Sequence, residues 1–156
     1  MLVPHVRRAR PDESRLLTEL TARSKAFWGY DDSFLEGARQ ELEFNASKFL
    51  PDFHVYIIEA EGQPLGFCSL ISVDGSTVEL HDLFVEPRYI GKGYGKELWD
   101  YAVKLARSLG FKRIVLTADP NVEPFYAHQG AVHIGVKASL VCSDRVLPVM
   151  EYILNV

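Results

Sequence analysis

Two spacings of apolar residues alternate along this chain, and each change from one to the other marks the end of an element. From Tyr94 onward apolar residues fall at 94, 98, 101, 102, 105 and 109, the spacing of one helical face. Gly110 stands where such a helix would be capped. Just upstream, residues 78–85 (VELHDLFV) are apolar and β-branched enough for a largely buried strand, which Pro87 ends. Between strand and helix, Gly91, Gly93 and Gly95 alternate with Lys92, Tyr94 and Lys96. The rest of the chain is arranged around this unit.

The same patterns predict further strands over 2–8, 54–60, 65–73, 113–118, 132–140 and 146–153. Asp12 is expected to cap a helix with Leu16, Leu17, Leu20 and Phe27 on its apolar face, ending near Trp28-Gly29-Tyr30. Ser33 opens a second helix through Phe34, Leu35, Ala38, Leu42 and Asn45, closed by Pro51. Asp74-Gly75 is a hairpin signal leading into the 78–85 strand. Asp119-Pro120-Asn121 is expected to open a short helix that Gly130 closes. The order is then β-α-α-β-β-β-α-β-α-β-β. Strand, helix and strand over 78–118 make a crossover, so that strand pair is parallel. Short turns join the others, which are therefore antiparallel. The expected architecture is α/β (α+β): a mixed, mostly antiparallel sheet of about seven strands with helices on both faces.

Composition narrows the function classes. A length of 156 residues suits one domain over 1–156 with a sizeable core. At 47% hydrophobic and 24% charged, the chain is of the ordinary folded kind. A net charge of −4 with no basic run argues against nucleic acid as a partner. Cys68 and Cys142 have neither metal-type nor redox-type spacing, so both are expected to be reduced and structural, with no metal. No signal-like segment or membrane-length apolar run is visible, which makes the cytoplasm the expected location. A homodimer is compatible with the sequence.

The glycine-rich loop carries the chemistry. Glycines let backbone approach a ligand and adopt positive φ, and a helix starting there points free N–H groups and partial positive charge into the same space. That is an anion site, most often for phosphate. The dinucleotide fingerprint would need glycine where Lys96 stands. The nucleotide-triphosphate loop would need glycine at Ile90 and Ser or Thr at Glu97. Neither spacing is met.

The segment L-F-V-E-P-R-Y-I-G-K-G-Y-G-K-E-L-W closely resembles the acetyl-CoA loop of the GNAT N-acetyltransferases, [QR]-x-x-G-x-[GA] after a V-x-P strand end. Arg88-x-x-Gly91-x-Gly93 matches by letters but stands two residues too near Pro87. The register that keeps the distances from Val85 and Pro87 places Ile90 at the Gln/Arg position, a departure that removes one polar side chain but not the backbone amides. The element order is also that of the GNAT fold, in which two parallel strands splay and the pantetheine arm lies in the gap. The resemblance implies acetyl-CoA as co-substrate on Leu83, Phe84, Val85, Gly91, Lys92, Gly93, Tyr94, Gly95 and Lys96.

A second segment, A-D-P-N-V-E-P-F-Y-A-H-Q-G over 118–130, resembles the GNAT pattern whose tyrosine stands four residues before a glycine. Tyr126 meets that spacing, and in the family this tyrosine protonates the departing coenzyme A thiolate. Asp119 or Asn121 would bond the pantetheine amides, or cap the helix. Some family members carry a catalytic glutamate eleven residues before the Gln/Arg position, which is Glu79 here. The alternation of the strand puts Glu79 and His81 on one face with Leu83 and Val85. Glu79 is thus the expected base, with His81 or water as alternatives. The family's acceptor pocket draws on the linker after the first helix and the loop before the last strand, here 25–32 and 142–148. Trp28 and Tyr30, with Glu79 and His81, are the expected acceptor contacts, and aromatic faces beside Asp31 and Asp32 would suit a cationic amine. The implied function is direct acetyl transfer from acetyl-CoA to a primary amine, a small molecule rather than a protein. Two alternatives stand beside it: a catalytically weak acyl-CoA-binding module serving as sensor or subunit, and an unrelated phosphate-ligand binder.

Overall fold

Alternate residues of each strand face opposite layers, and the structure is built from that alternation. The computed structural model describes residues 3–29, 53–138 and 145–154. Its strands are β1 (His5–Arg8), β2 (Phe53–Ala60), β3 (Gln63–Ser72), β4 (Thr77–Val85), β5 (Arg113–Thr117), β6 (Val132–Ala138) and β7 (Val146–Ile153). They form one sheet in the order β1-β2-β3-β4-β5-β7-β6. Only β4 and β5 pair in parallel; every other neighbouring pair is antiparallel. Helices α1 (Ser14–Ala26), α2 (Tyr94–Ser108) and α3 (Glu123–His128) complete the described elements. The expected second helix, Tyr30 to Asp32 and Cys142 lie outside the described residues. No described helix is long and apolar enough to cross a membrane.

Two buried clusters occupy opposite faces of the sheet. Leu17 and Leu20 of α1 pack with Val55, Ile57 and Phe67. Leu98, Trp99, Ala102, Val103 and Ala106 of α2 pack with Leu70, Val78, Leu80 and Ile114. The buried stripe of α2 is turned by about one residue from the predicted one, so that Leu109 is exposed. Phe27 is also exposed, edge-on to Trp28, because α1 has ended by then. Each full burial of a Leu- or Val-sized side chain contributes roughly 1.5–3 kcal/mol.

Two helix starts differ from the sequence expectation. Asp12 lies exposed in a short turn, Pro11–Glu13, ahead of α1. The acid that organises this entry is Glu13, whose Oε1 accepts the Arg10 N–H at 2.8 Å. Its carboxylate also takes two hydrogen bonds from Arg7, at 2.9 and 2.7 Å. Asp119 likewise does not cap α3, which starts four residues later with Pro124 in its first turn. The Asp119 carboxylate closes a local turn instead, accepting the Asn121 N–H at 2.9 Å.

The Arg7 cluster generates a pH-dependent prediction. Hydrogen bonds from Arg7 are the main cause holding both Glu13 and Glu59 below the ordinary carboxylate range; burial opposes them. A carboxylate with a depressed folded-state pKa contributes stability that is present above its unfolded pKa. That contribution fades as pH falls through the folded value. Arg7→Met should therefore cost about 1.5–3 kcal/mol at pH 7, the range for hydrogen bonds to charged groups. Urea unfolding at pH 7 and pH 3 should show the gap between wild type and variant closing at the lower pH. A gap that stays constant would assign the cluster no electrostatic role.

Candidate functional site

The parallel pair is short. Thr77, Val78 and Glu79 lie opposite Arg113, Ile114 and Val115, and the ladder stops there. Beyond Glu79 the two strands diverge, leaving the β5-facing side of Leu83, Phe84 and Val85 on a cavity of about 370 Å³. Its lining is mostly apolar: Ile90, Val122, Phe125 and Tyr126 join those three residues. Ser24, Lys25 and Trp28 of the α1 end also line it, with Asp119 and Asn121 beside them.

One end of the cavity is the glycine loop. Gly91 and Gly93 have φ of 86° and 92°, left-handed values that a side chain would strain. Gly93 caps α2, accepting the Glu97 N–H at 3.1 Å. The N–H groups of Gly91, Gly93, Tyr94, Gly95 and Lys96 donate to no backbone carbonyl among the described residues. These donors and the start of a 15-residue helix make a cradle for an anion. A Cβ at Gly93 would enter open space where such an anion would sit; one at Gly95 would touch the Phe125 ring at 3.5 Å. Lys96 lines the cavity and is paired with Asp100 at 2.7 Å. Lys92 is exposed, and Tyr94 is edge-on to Tyr89; neither lines the cavity.

The two candidate positions before the glycines are placed differently. Ile90 lines the cavity, whereas Arg88 points elsewhere, 5.2 Å over the Tyr89 ring and facing a separate surface groove. The loop thus presents backbone and an aliphatic side chain to the site.

Tyr126 is only 6% exposed and is wedged edge-on against Trp99 and Phe125. Its hydroxyl makes no hydrogen bond to the described residues, and no buried side-chain polar atom among them lacks a partner. The oxygen therefore meets the open space of the cavity. Burial, followed by the neighbouring Cys68 and Asp82, pushes the phenol well above its ordinary pKa. Cys68, buried beneath it, is pushed up to about 12 by the same desolvation. Tyr126 is consequently a neutral donor across the physiological range.

Glu79 stands differently from the sequence expectation. Ser69 faces Asp82 and Leu70 faces Leu80, so His81 is the extra residue of a bulge in β4. The bulge shifts the alternation by one. Leu83 lies opposite Cys68 and Val85 opposite Gly66, on the α2 face. Glu79 lies opposite Ile71, on the α1 face with Asp82 and Phe84. Glu79 and His81 remain together: Nδ1 of His81 is 3.1 Å from the Glu79 carboxylate, and the His81 ring is edge-on to Phe53. Both are about one-third exposed, and neither lines the cavity.

Long-range ion pairing at the rim was not legible in the sequence. Asp119 Oδ2 is 3.3 Å from Lys25 Nζ and 3.0 Å from Arg145. Its Oδ1 accepts from the Asn121 amide at 2.9 Å. Lys25 also lies 5.9 Å over the Phe84 ring. Ser24 and Val122 had no sequence signal at all, since only the fold brings them to the cavity.

Comparison with known proteins agrees with this geometry. The profile of the Acetyltransferase (GNAT) family matches residues 17–131. The chain is similar to an uncharacterized N-acetyltransferase, ycf52-like, of Prochlorococcus marinus. They are 36% identical over 66 residues, 42% of this chain and 37% of that one. It is also similar to the peptidyl-lysine N-acetyltransferase YjaB of Salmonella typhimurium, 32% identical over 107 residues, covering 67% and 68% of the two chains. The matches thus span between about one-third and two-thirds of these relatives' lengths. Among solved structures, the PaiA N-acetyltransferase of Thermoplasma acidophilum in complex with coenzyme A superposes with a TM-score of 0.79. It is 20% identical, over 96% of this chain and 98% of that one. By fold and by family profile, the chain belongs to the GNAT family of acetyltransferases.

Proposed function

We propose that this chain is a single-domain N-acetyltransferase that passes an acetyl group directly from acetyl-CoA to a primary amine. The observation that carries the reading is one continuous surface: the glycine-loop amides open onto the apolar cavity into which the Tyr126 hydroxyl projects. Pyrophosphate fits the amides of 91–96, and the pantetheine arm fits the gap where β4 and β5 part. Leu83, Phe84 and Val85 offer that arm the strand edge that β5 leaves uncovered. Asn121, on the opposite side, is the candidate polar contact.

In this arrangement the amine attacks the thioester carbonyl, the C–N bond forms, and the C–S bond breaks to release coenzyme A. Tyr126 donates a hydrogen bond to the sulfur as it gains charge, and delivers the proton that solvent then replaces. Because its phenolate is disfavoured by burial, the hydroxyl stays protonated across the physiological range. Glu79, with His81 beside it on the α1 face and outside the cavity lining, receives the amine's proton through water. Trp28 bounds the acceptor side. The acceptor belongs to the amines; YjaB's name specifies peptidyl-lysine, so a screen includes a lysine peptide beside small amines.

Three outcomes are expected. Gly93→Val should weaken acetyl-CoA binding at least tenfold by calorimetry, because the branched side chain both strains a φ of 92° and fills the anion cradle. Unaltered affinity would move the coenzyme elsewhere. Tyr126→Phe should lower kcat by roughly 10- to 1,000-fold with coenzyme affinity retained. Turnover at the wild-type rate would leave Tyr126 a packing residue. Finally, log kcat/KM should rise with pH and level off as the base deprotonates. Glu79→Gln should displace that limb, while His81→Gln serves as the control, since an ordinary histidine titrates near 6.5. A limb untouched in the first variant and abolished in the second would make the histidine the base.

A further inference from the structure

The carboxylate of Asp119 is almost fully occupied by the protein itself. A carboxylate offers about four lone-pair sites. Here the Asn121 N–H and side-chain amide take Oδ1, and Lys25 and Arg145 take Oδ2. Its side chain is only 8% exposed. Nothing in that geometry leaves Asp119 a ready acceptor for a pantetheine amide. What it does join is telling. Lys25 belongs to the last turn of α1, and Trp28, in the turn that follows the helix, donates its N–H to the Lys25 carbonyl at 3.2 Å and lines the same cavity. Arg145 leads directly into β7. The residue before Asp119, Ala118, donates its N–H to Pro148 of β7 at 2.9 Å.

We propose that Asp119 is a positioning residue for the acceptor side of the site rather than a ligand of the coenzyme. One buried anion draws the end of α1 and the start of β7 onto the end of β5, and so sets the spacing of the walls around Trp28. Lys25 and Arg145 are themselves only 19% and 20% exposed, so the pairs are shielded from solvent and screened little by salt. Removing the anion breaks both ion pairs, and the walls they tie together separate. The glycine cradle stands at the other end of the cavity and is untouched. This inference rests on the acetyltransfer reading given above.

The test compares wild type with Asp119→Asn, Asp119→Glu and Arg145→Met. Coenzyme A affinity is measured by calorimetry. Steady-state thiol release from acetyl-CoA is measured with the best acceptor from a panel of a lysine peptide, a diamine, an amino acid and an aminoglycoside. Asp119→Asn and Arg145→Met should raise the acceptor KM about tenfold or more, and in Arg145→Met, which leaves the Asp119–Asn121 hydrogen bonds in place, coenzyme Kd should stay within about threefold, the signature of lost acceptor binding alone. Asp119→Glu, which keeps the charge, should recover part of the acceptor KM. Should Asp119→Asn fail to fold, Arg145→Met still reports on the same wall. A tenfold weaker coenzyme Kd with the acceptor KM unchanged would make Asp119 a coenzyme ligand and overturn the proposal. An acceptor KM unmoved in both variants would overturn it equally. Wild-type protein that binds no coenzyme A would instead show in the first titration, refuting the underlying reading and the proposal with it.

Discussion

The structure depends on a parallel strand pair that is allowed only three residues of contact. β4 and β5 meet from Thr77 to Glu79 and then part, so the middle of a seven-stranded sheet carries an open seam. A seam in a buried sheet is costly, because backbone groups there lose their partners. It persists because both flanks are held independently. β4 is anchored by its long ladder with β3, and β5 by its ladder with β7. Below the seam, the α2 cluster of Leu98, Trp99 and Ala102 packs against both strands and prevents collapse. At one end of the seam, α2 begins with its free amides. Anion cradle and apolar slot are therefore two consequences of one break in the ladder.

The same break explains why Tyr126 is both buried and available. Its ring supports the core through Trp99, while its oxygen emerges where the strands have parted. Desolvation that would be a liability for an ionised group keeps this one protonated. Packing and proton donation are thus compatible in a single side chain. The rim follows a different logic: there, charge rather than apolar contact ties α1, β5 and β7 together through Asp119.

How much of this the chain announces depends on the range of the interaction involved. The strand, glycine loop and helix over 78–108 depend on neighbours within a few residues, and their chemistry reads directly from spacing. The choice of Ile90 over Arg88 was equally local, since distance from Pro87 decides it. Glu79 was assigned to the wrong face because a bulge at His81 is a property of pairing with β3, not of β4 alone. Asp119 looked like a helix cap because its partners, Lys25 and Arg145, stand 94 and 26 residues away. Phe27 looked like core because periodicity continues past the point where α1 stops.

The central claim is that the loop amides and the seam form one coenzyme site. Titration of uniformly ¹⁵N-labelled protein with coenzyme A, followed by amide shifts, tests it most directly. The account predicts saturable one-to-one shifts, largest and downfield at Gly91, Gly93, Tyr94, Gly95 and Lys96, as their N–H groups acquire an anionic acceptor. Smaller shifts should follow at Leu83, Phe84 and Val85, with β1 unmoved. Saturable shifts centred elsewhere, with the loop amides stationary, would contradict it.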